Sequence, residues 1–125
     1  MHFTLINIIM ITYDPATMLA YIRSILLPLP GSREGICYGT PGFYAHQKLI
    51  CRMKEDGETL VLYHVDRDEP IAENPEVFYI TGHYVNSPYV LVKLPLIGEA
   101  KLRSILIETW KMRASKTHLR AYTSL

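Results

Sequence analysis

Residues 42–66 read GFYAHQKLICRMKEDGETLVLYHVD, and the Asp56-Gly57 pair near their centre sits between two runs of strand-forming residues. Such a pair is a strong signal for a two-residue hairpin turn, because both central positions need backbone angles that Asp and Gly tolerate. A turn of that length pairs Met53 with Leu60, Cys51 with Leu62 and Leu49 with His64 on one side of the ribbon. Lys54 with Thr59, Arg52 with Val61, Ile50 with Tyr63 and Lys48 with Val65 take the other side. The first side is apolar and the second mixed, which predicts an antiparallel sheet covered on one face only.

Upstream, CYGTPGF at residues 37–43 leads into a strand. A phosphate cradle needs a glycine-rich turn that opens a helix, so that reading fails here. Gly39, Pro41 and Gly42 are expected as turn residues that set the angle of entry into the first strand. Further upstream, Asp14 can cap a helix with Pro15 in its first turn. Met18, Leu19, Ile22, Ile25 and Leu26 form its apolar stripe, and Pro28, Pro30 and Gly31 end it.

Downstream, residues 68–79 read as a short helix near Pro70, interrupted at Asn74-Pro75, with a further turn to Tyr79. SPYVLVKLP, from Ser87, is a nearly continuous apolar run and predicts a central strand. The strongest helix signal spans residues 98–115: Leu102, Ile105, Leu106, Thr109 and Trp110 share one arc, with Lys101, Ser104, Glu108 and Lys111 opposite. The order is α-β-β-β-α-β-α, an α+β fold with helices on one face of an antiparallel sheet.

A chain of 125 residues fits a single domain, here 1–125. Residues 1–13 are expected as an extension or extra strand, since MHFTLINIIMI lacks a basic flank and is too short to span a membrane. Residues 117–125 are expected as a loose tail. Cys37 and Cys51, without a secretion signal, read as reduced thiols of a cytoplasmic protein.

Chemistry is sparse. Cys51 falls on the inner sheet face, an inert position, and nothing marks Cys37 as activated. His64 and Asp66 share a strand face, yet the tight spacing of metal ligands is missing. No carboxylate pair or nucleophile–base pattern is visible, so the chain is not expected to be an enzyme or to carry a cofactor.

The net charge of +1 excludes a general attraction to nucleic acid or membranes. Residues 99–125, however, carry a net +4. Lys101, Lys111, Arg113, Lys116 and Arg120 there, with Lys48, Arg52 and Lys54 on the outer hairpin face, are the candidates for phosphate contact. Helix-dipole complementarity accounts for part of that pattern.

Three blocks, EGICYGTPGFYAHQKLICRMKEDGETLVL, NPEVFYITGHYVNSPYVLVKL and LRSILIETWKMRASK, together resemble the MmcQ/YjbR family of small bacterial proteins. The likeness runs from about Leu19 to Lys116, and Tyr38, Gly39, Pro41, Phe43, Lys48, His83, Tyr84 and Trp110 match the family pattern. Tyr89 departs from it, a tryptophan being usual there. The segment before Asp14 is longer than usual and suggests an over-called start codon.

The resemblance implies a double-wing, secretion-chaperone-like α+β domain that is labelled DNA-binding and has no established enzymatic activity. Weak, phosphate-dominated DNA binding is the first expectation. The alternative is a small-molecule or partner-protein module using an aromatic and histidine surface of Tyr38, Phe43, His83, Tyr84 and Trp110. Oligomeric state is not readable.

Overall fold

A computed structural model describes residues 12–123. Six strands form one antiparallel sheet: β1 (Ser32–Cys37), β2 (Thr40–Ala45), β3 (Lys48–Met53), β4 (Thr59–Tyr63), β5 (Phe78–Tyr79) and β6 (Tyr89–Lys93). Their spatial order is β1-β2-β3-β4-β6-β5. Four helices accompany them: α1 (Pro15–Leu26), α2 (Asp68–Glu73), α3 (Glu99–Arg113) and α4 (Lys116–Thr123). A single 3₁₀ turn, Gly82–Tyr84, lies between β5 and β6. The α+β class and the helix-covered face are as the sequence pattern predicts.

The central hairpin keeps its expected register, with Cys51 opposite Leu62, Arg52 opposite Val61 and Met53 opposite Leu60. Its turn is longer than two residues. The Lys54 N–H donates to the Thr59 carbonyl at 2.8 Å and the Gly57 N–H to the Lys54 carbonyl at 3.0 Å. The Asp56 carboxylate accepts from the Glu58 and Thr59 N–H groups, and Gly57 takes φ +68°, a left-handed conformation natural to glycine. An even-numbered loop leaves the pairing unchanged.

Further along β3 the alternation fails. Phe43 pairs with Cys51 and Tyr44 with Leu49, so Ile50 is an extra residue. This β-bulge buries Ile50 and Cys51 together and turns Leu49 to the open face. The expected pairing of Leu49 with His64 is thereby corrected, and Lys48 falls on the side opposite Arg52.

Two strands escaped the sequence reading. In β1, Ser32-Arg33-Glu34-Gly35 has no apolar alternation, and its pairing is dictated instead by the Tyr38-Gly39 turn. Both turn residues have positive φ, 52° and 80°, as the tightest hairpin turns require. Pro41 and Gly42, expected in that turn, lie within β2. Residues 78–79, expected as helical, pair with β6 as β5.

The core lies between sheet and helices. Ile22, Ile25 and Leu26 of α1 and Leu102, Ile105, Leu106 and Trp110 of α3 are buried against Phe43, Leu60, Leu62, Val90 and Val92. Trp110 is fully buried; its indole N–H donates to the Pro30 carbonyl at 3.2 Å and its ring meets Tyr122 at 5.1 Å. The tail expected to be loose from residue 117 is helical through Thr123, with Leu119 and Tyr122 packed onto the core. Of the expected extension over residues 1–13, all but Thr12 and Tyr13 lies outside the described residues.

Candidate ligand site on the open face of the sheet

Among the described residues the helices leave one sheet face uncovered, and the chain itself builds a cavity there. Cys37 and Tyr38 at the β1–β2 turn, Leu49 and Arg52 of β3, and Val61 of β4 form its floor and one wall. Tyr89 of β6, with His83, Tyr84 and Ser87 from the preceding loop, closes the other side. The volume is about 540 Å³, within the range of roughly 300–1,000 Å³ usual for small-ligand sites.

Arg67 sets the shape of that loop. Its Nη1 donates to the carbonyls of Tyr84 at 2.8 Å, Tyr89 at 2.6 Å and Ser87, and Nη2 donates to Val85 at 3.0 Å. One guanidinium thus gathers four backbone acceptors and holds residues 84–89 against the sheet. The His64 N–H adds a bond to the Pro88 carbonyl at 2.9 Å.

Gly42 admits the turn to the cavity floor. A Cβ on it would stand 2.8 Å from the Cβ of Cys37, so only glycine lets the β1 end lie that close.

Tyr38 is the most unusual residue of the site. It is 84% exposed and holds φ 52°, a conformation that bulky side chains rarely adopt. Asn, Asp or Gly would suit the turn better. Its ring lies 5.2 Å from the Arg52 guanidinium carbon, a cation–π distance.

Arg52 is nearly buried, its side chain 11% exposed. Its hydrogen bonds among the described residues all use Nη1, to Thr40 Oγ1 at 3.1 Å and, longer, to the Met53 carbonyl. Glu55, two-thirds exposed, makes a long ion pair with it at 3.9 Å that solvent weakens. Among the described residues lining the cavity there is no carboxylate.

Two further cation–tyrosine pairs lie outside the lining. Arg113 stacks 3.8 Å over the Tyr63 ring, which meets Tyr89 edge-on at 5.7 Å. Arg33 covers Tyr44 at 4.3 Å. Burial pushes the Tyr89 and Tyr44 hydroxyls above the usual phenol range, the latter helped by hydrogen bonding with Cys37. Both therefore stay protonated at neutral pH and remain donors.

The aromatic set expected from sequence divides. Tyr38, His83 and Tyr84 meet at the cavity, with His83 and Tyr84 edge-to-face at 4.8 Å. Phe43 and Trp110 are fully buried under the helices, because their positions fall on the inner sheet face and the inner arc of α3. They belong to the core rather than to a ligand surface.

The eight expected phosphate contacts divide as well. Arg52 lines the cavity, Lys54 is half-buried at the hairpin end, and Arg113 lies on Tyr63. Lys101 is exposed 3.9 Å from Glu73, Lys111 lies over Tyr122, and Lys116 and Arg120 are exposed on α4. Lys48, beyond the bulge, is exposed at the start of β3. Lys48 and Arg52 thus lie on opposite sides of β3, and Arg113 of α3 reaches the Tyr63 ring beside Tyr89.

Elsewhere the titratable groups serve structure. His64 is buried, its Nδ1 accepting from the Asp66 N–H at 3.2 Å and its Nε2 lying 3.5 Å from Glu108. Burial drives the Cys51 thiol far above its ordinary pKa, leaving it inert. Among the described residues no three His, Cys, Asp or Glu side chains gather as metal ligands, and no helix is long and apolar enough to cross a membrane.

Comparison with known proteins adds little to this geometry. Uncharacterised proteins of Mycobacterium tuberculosis and Mycobacterium bovis are 36% identical over 52 residues, a stretch covering 42% of this chain and 40% of theirs. The chain thus spans well under half the length of these relatives. No family model and no solved structure matches it.

Proposed function

We propose that the chain is a non-enzymatic binding protein whose ligand, a small molecule, sits in the cavity on the open sheet face. One observation carries this reading: an exposed tyrosine is held at a costly backbone angle beside a nearly buried arginine. Residues kept in sparsely populated conformations cluster where a ligand is gripped. A cytoplasmic setting fits the two unpaired thiols, Cys37 and Cys51.

A thermal-shift screen of the chain against small metabolites tests the reading. A stabilising compound is expected whose effect vanishes in His83→Ala and survives in Lys116→Ala. Absence of any hit, or a hit indifferent to His83, contradicts it.

A second reading, weak DNA binding of the MmcQ/YjbR type on a double-wing domain, is favoured by the net +4 of residues 99–125 and the exposure of Lys48, Lys101, Lys116 and Arg120. Phosphate contact by about five cations gives a slope of log K against log salt near −4 to −5. A flat salt response removes it.

A further inference from the structure

Resting on the ligand-site reading above, we infer that the cavity selects a flat aromatic ring bearing one anionic group, a carboxylate or a phosphate. Arg52 supplies the anion site. Its Nε and Nη2 make no hydrogen bond among the described residues, so one edge of the guanidinium fork is uncommitted. That edge matches two oxygens of a carboxylate or phosphate in a bidentate pair. The Glu55 ion pair of this nearly buried cation is long and solvent-screened, and among the described residues no carboxylate lines the cavity, so an anionic ligand adds a closer counter-charge.

The flat ring is demanded by the walls. Tyr38, Tyr84 and His83 present aromatic faces or edges, and Leu49 and Val61 make an apolar floor. A planar ring between them gains offset or edge contacts as well as buried area. The protonated Tyr89 hydroxyl is a further donor along the same wall. A cationic ligand is disfavoured by Arg52, and a sugar lacks the carboxylate acceptors it commonly engages.

Calorimetric titration of the full chain with four probes tests this: 2-naphthoate, 2-naphthyl phosphate, uncharged 2-naphthamide, and cyclohexanecarboxylate. At least one naphthyl anion is expected to bind about tenfold or more tightly than the amide, the gain of a charge-assisted pair. Which anion binds tighter separates carboxylate from phosphate. Arg52→Gln is expected to erase the gap between anion and amide. Arg52→Lys, which keeps the charge and loses the fork, is expected to narrow the gap without closing it and serves should the glutamine variant unfold; a gap unchanged in it overturns the bidentate pair. Amide binding equal to the anions overturns the anion site and leaves the cavity standing. Cyclohexanecarboxylate binding equal to naphthoate overturns the flat ring. Failure of every probe that carries the naphthyl ring overturns this inference, while failure of the thermal-shift screen as well overturns the ligand-site reading.

Discussion

Arg67 donates to the Tyr84 carbonyl at 2.8 Å across 17 residues of sequence, and through three more carbonyls it fixes the whole loop from 84 to 89. The wall of the cavity is therefore built by a residue that does not line its aromatic side. A single charged group satisfying several acceptors is worth more than neutral bonds of the same count.

Arg67→Met is expected to lower stability by about 2–3 kcal/mol in urea unfolding, the cost of freeing those carbonyls. Amide exchange should rise across residues 83–89 and not in β3 or β4. Arg67→Lys should recover little, because one ammonium cannot reach the spread of acceptors. Wild-type protection of the loop in Arg67→Met would contradict the clamp.

Tyr38→Asn separates stability from binding. Asn tolerates the left-handed angle of the turn, and the exposed ring contributes little packing, so the variant should gain about 0.5–1 kcal/mol. The same change removes one aromatic wall and should weaken any cavity ligand. A loss of stability would mean that the ring has a structural task and that its angle is no sign of function.

Trp110→Ala is expected to behave in the opposite way. Removing a fully buried indole costs about 3–5 kcal/mol, and the freed Pro30 carbonyl adds to it. Any remaining folded fraction should bind ligand with unchanged affinity, since the side chain lies on the far side of the sheet. Reduced affinity at constant folding would return Trp110 to the site.

Arg23 grips Glu34 through Nε and Nη2 at 2.7 and 2.8 Å, tying α1 to β1. That hydrogen bonding holds the Glu34 carboxyl below its ordinary range against the contrary pull of burial. A carboxyl depressed on folding contributes stability above its unfolded pKa, near 4.3, and loses it as pH falls through the folded value. Glu34→Gln should therefore cost up to about 1 kcal/mol at pH 7, the pair being partly exposed. The cost should fade below about pH 4. A difference that stays constant with pH would show that the ion pair is not its source.

The inner face was legible in the sequence because it obeys periodicity. The arc of α3 and the stripe of α1 bury the residues their 3.6-residue spacing indicates. The hairpin register survived a wrong turn length because only the parity of the loop matters to it. The open face was legible in fragments. Tyr38, His83 and Tyr84 carried a signal, whereas Leu49 reached the cavity through a bulge that no local pattern announces. Arg67 was hidden for a different reason: its partners are main-chain carbonyls 17–22 residues away, and backbone acceptors leave no mark in the sequence.

The most direct test of the open-face site is a titration of the ¹⁵N-labelled chain with 2-naphthoate followed by amide chemical shifts. Saturable shifts confined to Tyr38, Leu49, Arg52, Val61 and residues 83–89 are the expected result. Shifts centred on α3 and α4, or none at millimolar probe, would contradict it.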